Sequence, residues 1–288
     1  MPNPLSWYFH RLPRRLHRLE VLGNHVAQLV VPFGLFLPQP AAAIAGSYMI
    51  LTQLYLVVSG NYAWLNWITI VVAVAALPDW MVGAALPFAR TGVVAPPALF
   101  TAGAIGLTLL VAALSYQPVR NLLGRRQLMN YSFNSLHIVN TYGAFGSVTR
   151  HRDEVVVEGT EDPDPTEAST WREYEFKGKP GDPTRRPPQV GPYHLRLDWL
   201  MWFLPLSPAY GEQWFLRFLE GLLRNDPGLL RLLRTNPFPD RPPRTIRARL
   251  YRYRYTTWSE RRRSGEWWVR ELTGDYFPAV ALRPTVEH

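Results

Sequence analysis

His194 and Asp198 stand four residues apart, so on one helical face the carboxylate could orient the imidazole and make a general acid/base pair. The commoner use of such a pair is a structural hydrogen bond that fixes a helix on a sheet. His151, Asp153 and Glu154 crowd a stretch that reads as a turn, where polar residues are expected and metal binding is not. Asn24, His25 and Gln28 share a face of an apolar stretch. Ionisable groups at membrane depth are functional suspects, and Asn and Gln there also join helices by hydrogen bonds. The chain has no Cys, which excludes a thiol nucleophile, disulfide exchange and thiolate metal sites. There is no Gly-x-Ser-x-Gly elbow, no phosphate loop with Lys and Ser/Thr, and no His-Glu-x-x-His. No lipase centre, no cofactor site and no metal site is expected.

A second constellation is basic and aromatic. Arg247, Arg249, Arg252 and Arg254 interleave with Tyr251, Tyr253 and Tyr255, followed by Trp258 and Arg261 to Arg263. Such interleaving can mark nucleic-acid binding. On a membrane-attached chain it reads instead as a surface for anionic headgroups or an acidic client, or as a solvated sheet face.

These groups need elements to hold them. Tyr174 and Phe176 alternate with Glu173, Glu175 and Lys177 at the period of a strand. Pro and Gly between Gly178 and Pro192 forbid regular structure. Beyond that loop Leu195, Trp199, Trp202 and Phe203 share a helical face, and with Tyr193 they form an aromatic anchor for a sheet or a bilayer interface. Further strands are predicted at Leu136–Tyr142, Phe145–Thr149 and Glu154–Glu158, the last two as a hairpin across Arg150–Asp153. Glu161–Thr170 reads as an acidic solvated loop. Trp214, Phe215, Phe218, Leu219, Leu222 and Leu223 make a helical stripe, and Asp226-Pro227 caps a short helix that Asn236-Pro237 ends. From Ile246 to Thr256 the apolar parity changes, from Ile246, Ala248 and Leu250 to Tyr251, Tyr253 and Tyr255. One face cannot take both sets, which predicts a bulge near Leu250–Tyr251. The chain then turns over Ser259–Gly265 and returns as Trp267–Leu272.

Charge divides the 288 residues. Of 22 acidic residues only Glu20 and Asp79 precede residue 119, and of 31 basic residues only Arg11, Arg14, Arg15, Arg18 and Arg90 do. A stretch so poor in charge cannot be the surface of a water-soluble domain. Four apolar runs lie in it: Val21–Leu37, Ala41–Gly60, Trp64–Gly83 and Val94–Ser115. The last three reach the roughly 20 residues that cross a bilayer, and the first is short, polar in part and interrupted by Pro32. No cleaved signal peptide is recognisable. The sequence thus predicts membrane α-helical segments followed by an α+β domain, a mainly antiparallel sheet with a helical insertion. Its divisions are a transmembrane region of three or four helices over 1–118, a basic linker over 119–134, a soluble domain over 135–280 and a tail over 281–288.

The runs EYEFKGKPGD (173–182), RRPP (185–188) and PYHLRLDWLMWF (192–203) resemble the lipase maturation factor family, as do NTYGAFG (140–146), NPFP (236–239) and GDYFP (274–278). The likeness extends to NPLSWYFHRLP (3–13) and SGNYAWLNW (59–67) and so covers nearly the whole chain. Family members usually carry further membrane segments upstream. The resemblance implies a multi-pass membrane protein, of the endoplasmic reticulum in eukaryotic relatives or of the cell membrane in bacteria. It implies a chaperone-like, non-catalytic maturation factor whose partners are membrane lipids and secreted lipases. An integral-membrane enzyme acting on a lipid or protein, with His25, His194 and Asp198 as its suspects, is the alternative. The two arguments for sidedness conflict: if all four runs span, Arg11–Arg18 and Arg120–Arg126 share a side that the positive-inside tendency makes cytoplasmic. Work on secreted lipases implies a lumenal or extracytoplasmic domain.

Overall fold

The structure, a computed structural model, describes residues 1–85, 95–141, 149–206 and 212–282. The chain forms two compact units, one of residues 1–87 with 151–288 and the other of 88–150. The first unit starts with helices α1 (Ser6–His10), α2 (Arg14–Leu29), α3 (Val31–Gly34), α4 (Ala41–Ser59), α5 (Leu65–Val74) and α6 (Asp79–Ala85). The second unit holds α7 (Ala98–Leu114), continued as α8 (Tyr116–Leu122), and a two-stranded ladder of β1 (Tyr131–Ser132) with β2 (Asn140–Thr141). The first unit resumes with β3 (Arg152–Thr160), β4 (Arg172–Glu173), β5 (Glu175–Phe176), α9 (Arg196–Phe203), α10 (Glu212–Leu223), α11 (Pro227–Leu230), β6 (Leu233–Thr235), β7 (Thr245–Tyr255), α12 (Trp258–Ser264) and β8 (Trp268–Ala281).

Among the described residues two helices are long and apolar enough to cross a membrane, Ala41–Ser59 and Ala98–Leu122. At the helical rise the 19 residues of α4 span about 28 Å, close to a hydrocarbon core. The run from Trp64 to Gly83 is not one helix, because α5 stops at Val74 and the chain restarts at Asp79, after Pro78. The run from Val21 breaks at Val30, two residues before Pro32. Its two pieces still pack along α4: Tyr48 donates to the carbonyl of Gly23, and a Cβ on Gly34 would sit 3.0 Å from that of Ala45. Gln28 bonds Asn24 within α2, not a neighbouring helix. At Gly46 a Cβ would lie 2.9 Å from the carbonyl oxygen of Ala73, so α4 and α5 touch through backbone there.

The main sheet is antiparallel in the order β4-β3-β7-β8, with β5 and β6 paired separately. An antiparallel sheet with α9 to α11 set against it is the α+β arrangement expected. Residues 136–139 form no strand; among the described residues of that run only Asn140–Thr141 pairs, with Tyr131–Ser132, and residue 142 lies outside the described residues. Of the run 145–149, residues 145–148 lie outside the described residues. Strand β3 takes β4 and β7 as its partners, the second almost a hundred residues away. Between α11 and Asn236 the chain forms β6, which pairs with β5 and which the sequence pattern did not announce.

Strand β7 answers the parity question differently from the expectation. Its ladder with β3 runs without interruption from Arg152↔Tyr253 to Thr160↔Thr245. Ile246, Ala248 and Leu250 join Val155 and Val157 on one face, under Phe215, Phe218, Leu219 and Leu222 of α10. Tyr251, Tyr253 and Tyr255 join Val156 on the other, with Trp7, Trp267 and Trp268. Both faces are buried, each over half the strand, so β7 keeps its alternation throughout. A register shift does fall at Leu250/Tyr251, in the ladder with β8, where Leu250 pairs Gly274 and Tyr251 pairs Leu272. The additional residue, Thr273, is in β8.

Local signals elsewhere behave as the residues dictate. The stripe of α10 is buried at Phe215, Phe218, Leu219, Leu222 and Leu223, with Trp214 partly buried beside them. Asp226 accepts from Leu229 N–H at 2.9 Å with Pro227 in the first turn of α11. The turn after β7 is a helix, because Thr257 and Glu260 cap it reciprocally.

Candidate functional site

The loop between β5 and α9 meets three partners. The first is the sheet. Asp198, fully buried in α9, accepts from the backbone N–H groups of Gly178 at 2.5 Å and Lys179 at 3.0 Å. A Cβ on Gly178 would lie 3.1 Å from Val190 Cγ1 and 3.3 Å from Asp198 Oδ1, so a side chain there would push the carboxylate away. Lys179 then turns inward, and its ammonium lies 2.8 Å from Glu154 and 2.9 Å from the carbonyl of Val155. Arg152 reaches the other oxygen of Glu154 at 2.6 Å. Burial pushes the Glu154 carboxyl up, but Lys179 and Arg152 outweigh it and hold the group below its ordinary range.

The second partner is the segment that follows α4. Asn61 is almost wholly buried and uses every bonding direction of its amide. Its Nδ2 donates to the carbonyls of Pro2 and Pro188 at 2.7 and 2.8 Å, and its Oδ1 accepts from Val190 and Gly191 at 3.0 and 2.9 Å. Its carbonyl bonds His194 Nε2 at 2.9 Å, so that nitrogen carries the proton. Burial, opposed by this bond, keeps the imidazole below its usual range and hence neutral at pH 7.

The third partner is α1. Trp7 is fully buried, its Nε1 donates to Thr256, and its ring meets Trp258 and Trp267 edge-on at 4.4 and 5.9 Å. Arg261 lies over Trp267 with its guanidinium carbon 3.2 Å from the ring centroid, and Arg11 donates to the carbonyls of Tyr255 and Thr256. Arg186 bonds the carbonyl of Pro4. At the other end of this contact, Asn3 and Ser6 donate to carbonyls of Val57, Val58 and Ser59, the last turn of α4. The loop, α1 and the end of α4 thus form one hydrogen-bonded joint.

The residues singled out by sequence fall as follows. His194 and Asp198 do not pair: α9 begins only at Arg196, and each has its own partners on opposite sides of the loop. The face of α9 turned to the core is Asp198 and Met201, followed by Leu204 just beyond the helix, and Trp199, Trp202 and Phe203 lie partly buried beside it. Their rings meet one another tilted or edge-on at 5.1–5.2 Å, and Trp199 meets His194 at 4.9 Å. Tyr193 is 77% exposed and anchors nothing within the chain's core. On β7 each arginine has a carboxylate: Arg247 has Glu158 and Glu167 at 3.0 Å, Arg249 has Glu167, Arg252 has Asp153 at 3.0 Å and Arg254 has Glu260 at 2.7 Å. Tyr253 is buried and donates to the carbonyl of Gly181, while Tyr251 faces the Arg270 guanidinium. Asn61, Trp7 and Lys179 were not singled out. Each stood inside a motif quoted for the family resemblance, but nothing local to those residues announced that they meet.

The chemistry of the joint is positional. The cavity beside Lys179, lined also by Arg185, Arg186 and Trp268, holds about 10 Å³, room for roughly a single water, whereas small-molecule sites run to several hundred Å³. Among the described residues no group of three or more His, Asp or Glu is placed to hold a metal ion. For Asp198 the geometry separates two substitutions. Asp198→Asn keeps an oxygen for Gly178 and Lys179 and should leave protein level and activity within a few-fold of the parent. Asp198→Ala orphans two buried N–H groups at about 1–3 kcal/mol each, and a thermal melt of the detergent-extracted protein should show the difference.

Residues 1–84 match the family model described as the lipase maturation factor transmembrane domain, and residues 138–278 match the lipase maturation factor C-terminal domain. Lipase maturation factor 1 of Mus musculus is 42% identical over all of this chain and 54% of its own length. The protein of that name from Homo sapiens is 43% identical over 98% of this chain and 53% of its own length. Lipase maturation factor 2 of Homo sapiens is 26% identical over all of this chain and 55% of its own length. The chain spans about half the length of these curated relatives. No solved structure matches it. The chain belongs to the lipase maturation factor family.

Proposed function

We propose that the chain is a membrane-anchored, chaperone-like and non-catalytic maturation factor for secreted lipases. The observation that carries this reading is the joint. Asn61 and Trp7 spend their polar groups on fixing the C-terminal domain to the end of α4 and to α1, Asp198 spends its own on the loop within that domain, and the His194–Asp198 pair that an enzyme reading would use is not formed. A rigidly mounted domain suits a surface that holds a client near the membrane. Co-expression of a secreted lipase with and without this chain tests the reading: lipase activity in the medium should rise with the chain while lipase mRNA stays constant. Equal activity in both arms overturns it.

The domain is proposed to face the lumen or the cell exterior, on the ground that the clients are secreted. Arg11 bonds the domain directly, so the Arg11–Arg18 cluster lies at the same end of α4, and the positive-inside tendency read on that geometry favours the cytoplasm. Protease added to sealed cells of a bacterial host decides between them. Cleavage in the exposed Glu161–Thr170 loop without lysis is the expected result, and protection until lysis reverses the assignment.

A further inference from the structure

We infer that the aromatic face running from Tyr193 to Phe203 lies in the headgroup region of the bilayer that α4 crosses, so that the C-terminal domain rests on the membrane surface. The inference rests on the membrane reading of α4 and goes beyond it.

The argument starts at the end of that helix. Apolar residues stop at Ser59, and the chain continues through Asn61 to Tyr62, Trp64 and Trp67, which are 51%, 50% and 45% exposed. Amphipathic rings at the end of a span occupy the headgroup level, where the ring is sheltered and the polar edge stays wet. The carbonyl of Asn61 is bonded to His194, and the His194 ring touches Trp199. Tyr193, next in the chain, is exposed, and Trp202 and Phe203 continue the ring contacts along α9. Two aromatic groups are therefore held level with each other by one hydrogen bond, the first fixed by the span and the second belonging to the domain. The core face of α9 is already occupied by Asp198, Met201 and Leu204, so the aromatic side is the one turned away from the sheet. Tyr193 and Leu195 are exposed at the start of that side, and at the interface it is a second belt continuous with the first.

The absence of cysteine makes the test clean. Single-cysteine variants of the full chain, Tyr193→Cys and Trp199→Cys, are labelled with an environment-sensitive fluorophore and reconstituted in phosphatidylcholine vesicles carrying a nitroxide either at the headgroup or deep in the acyl chain. Trp64→Cys marks the belt, and Leu51→Cys, exposed in the middle of α4, marks the hydrocarbon. Asp164→Cys marks the loop beyond the Thr160 end of β3. That end pairs with Thr245, the start of β7, whose 11 residues put it about 35 Å along the strand from Tyr255.

The expected result is loss of fluorescence with the headgroup nitroxide at Tyr193 and Trp199 equal to that at Trp64, with none at Asp164. Tyr193 carries the test because its side chain is largely in the open and its replacement leaves the core untouched. Loss at Leu51 with the deep nitroxide but none at Tyr193 or Trp199 overturns the inference and leaves the membrane reading standing. No loss at Leu51 overturns the membrane reading itself. A Tyr193 label that ignores both lipids and responds only when a secreted lipase is added would assign this face to the client, and would also overturn the inference.

Discussion

Replacing Trp7 by Ala should unfold the joint and remove most of the protein from the membrane fraction. The side chain is fully buried, it packs edge-on against Trp258 and Trp267, and its Nε1 supplies a hydrogen bond to Thr256. A buried Trp truncated to Ala costs about 3–5 kcal/mol in lost transfer energy and residual cavity, a large part of the roughly 5–15 kcal/mol that stabilises a domain. In the detergent-extracted protein this amounts to a fall in melting temperature of roughly 6–20 °C. Trp7→Phe keeps a ring in the cavity and loses the donor, and should retain most of the stability. A Trp7→Ala protein with normal abundance and melting temperature would show that α1 and the C-terminal domain do not hold each other. Trp199, the obvious large aromatic from sequence, should cost less when truncated, because its ring is only partly buried and lies off the core face of α9.

Lys179→Met should be comparably damaging for an electrostatic reason. The substitution leaves Glu154, with no exposed surface, facing the methyl end of Met in place of an ammonium 2.8 Å away. Removing one member of a buried pair costs about 3–5 kcal/mol, because the remaining charge has lost its compensation. Arg152 still reaches Glu154 and offsets part of this. The double variant Lys179→Met/Glu154→Gln should recover part of the loss, since no charge is then left fully buried and Arg152, which loses its carboxylate, is partly exposed; a double variant less stable than Lys179→Met alone would sink the account. The sign with pH follows from the depressed Glu154 pKa. A carboxyl whose folded pKa lies below its unfolded one stabilises the fold above the unfolded value and loses that contribution as pH falls through the folded value. The parent's melting temperature should therefore fall as the pH drops below about 4.5, the ordinary value. Replacement of Lys179 takes away the larger of the two charge effects that lower the pKa, so the gap between folded and unfolded values narrows and the fall should be smaller.

Several features followed from residues near one another in the chain. The scarcity of charge before residue 119 argued against a water-soluble surface there, and residues 1–84 match the family's transmembrane model. The stripe of α10, the Asp226 cap and the strand period at Glu175–Phe176 are read within one or two turns of chain, where side-chain direction is set by backbone geometry. Motif likeness over both ends of the chain carried the family. Tertiary structure alone decided what these elements bury and against what. The parity change in β7 could mean a bulge or a two-sided strand, and the choice depends on whether a second core exists on the far face. That core is built from Trp7, 249 residues before Thr256, and no period reports a contact at that separation. Helical spacing brought His194 and Asp198 together on paper, but the helix starts after His194 because stronger partners claim both groups: the Asn61 carbonyl for one, two loop N–H groups for the other. Lys179 and Glu154 are charged residues in sequence and a buried pair in the fold, since burial of a charge is tolerable only where a partner from elsewhere in the chain arrives with it.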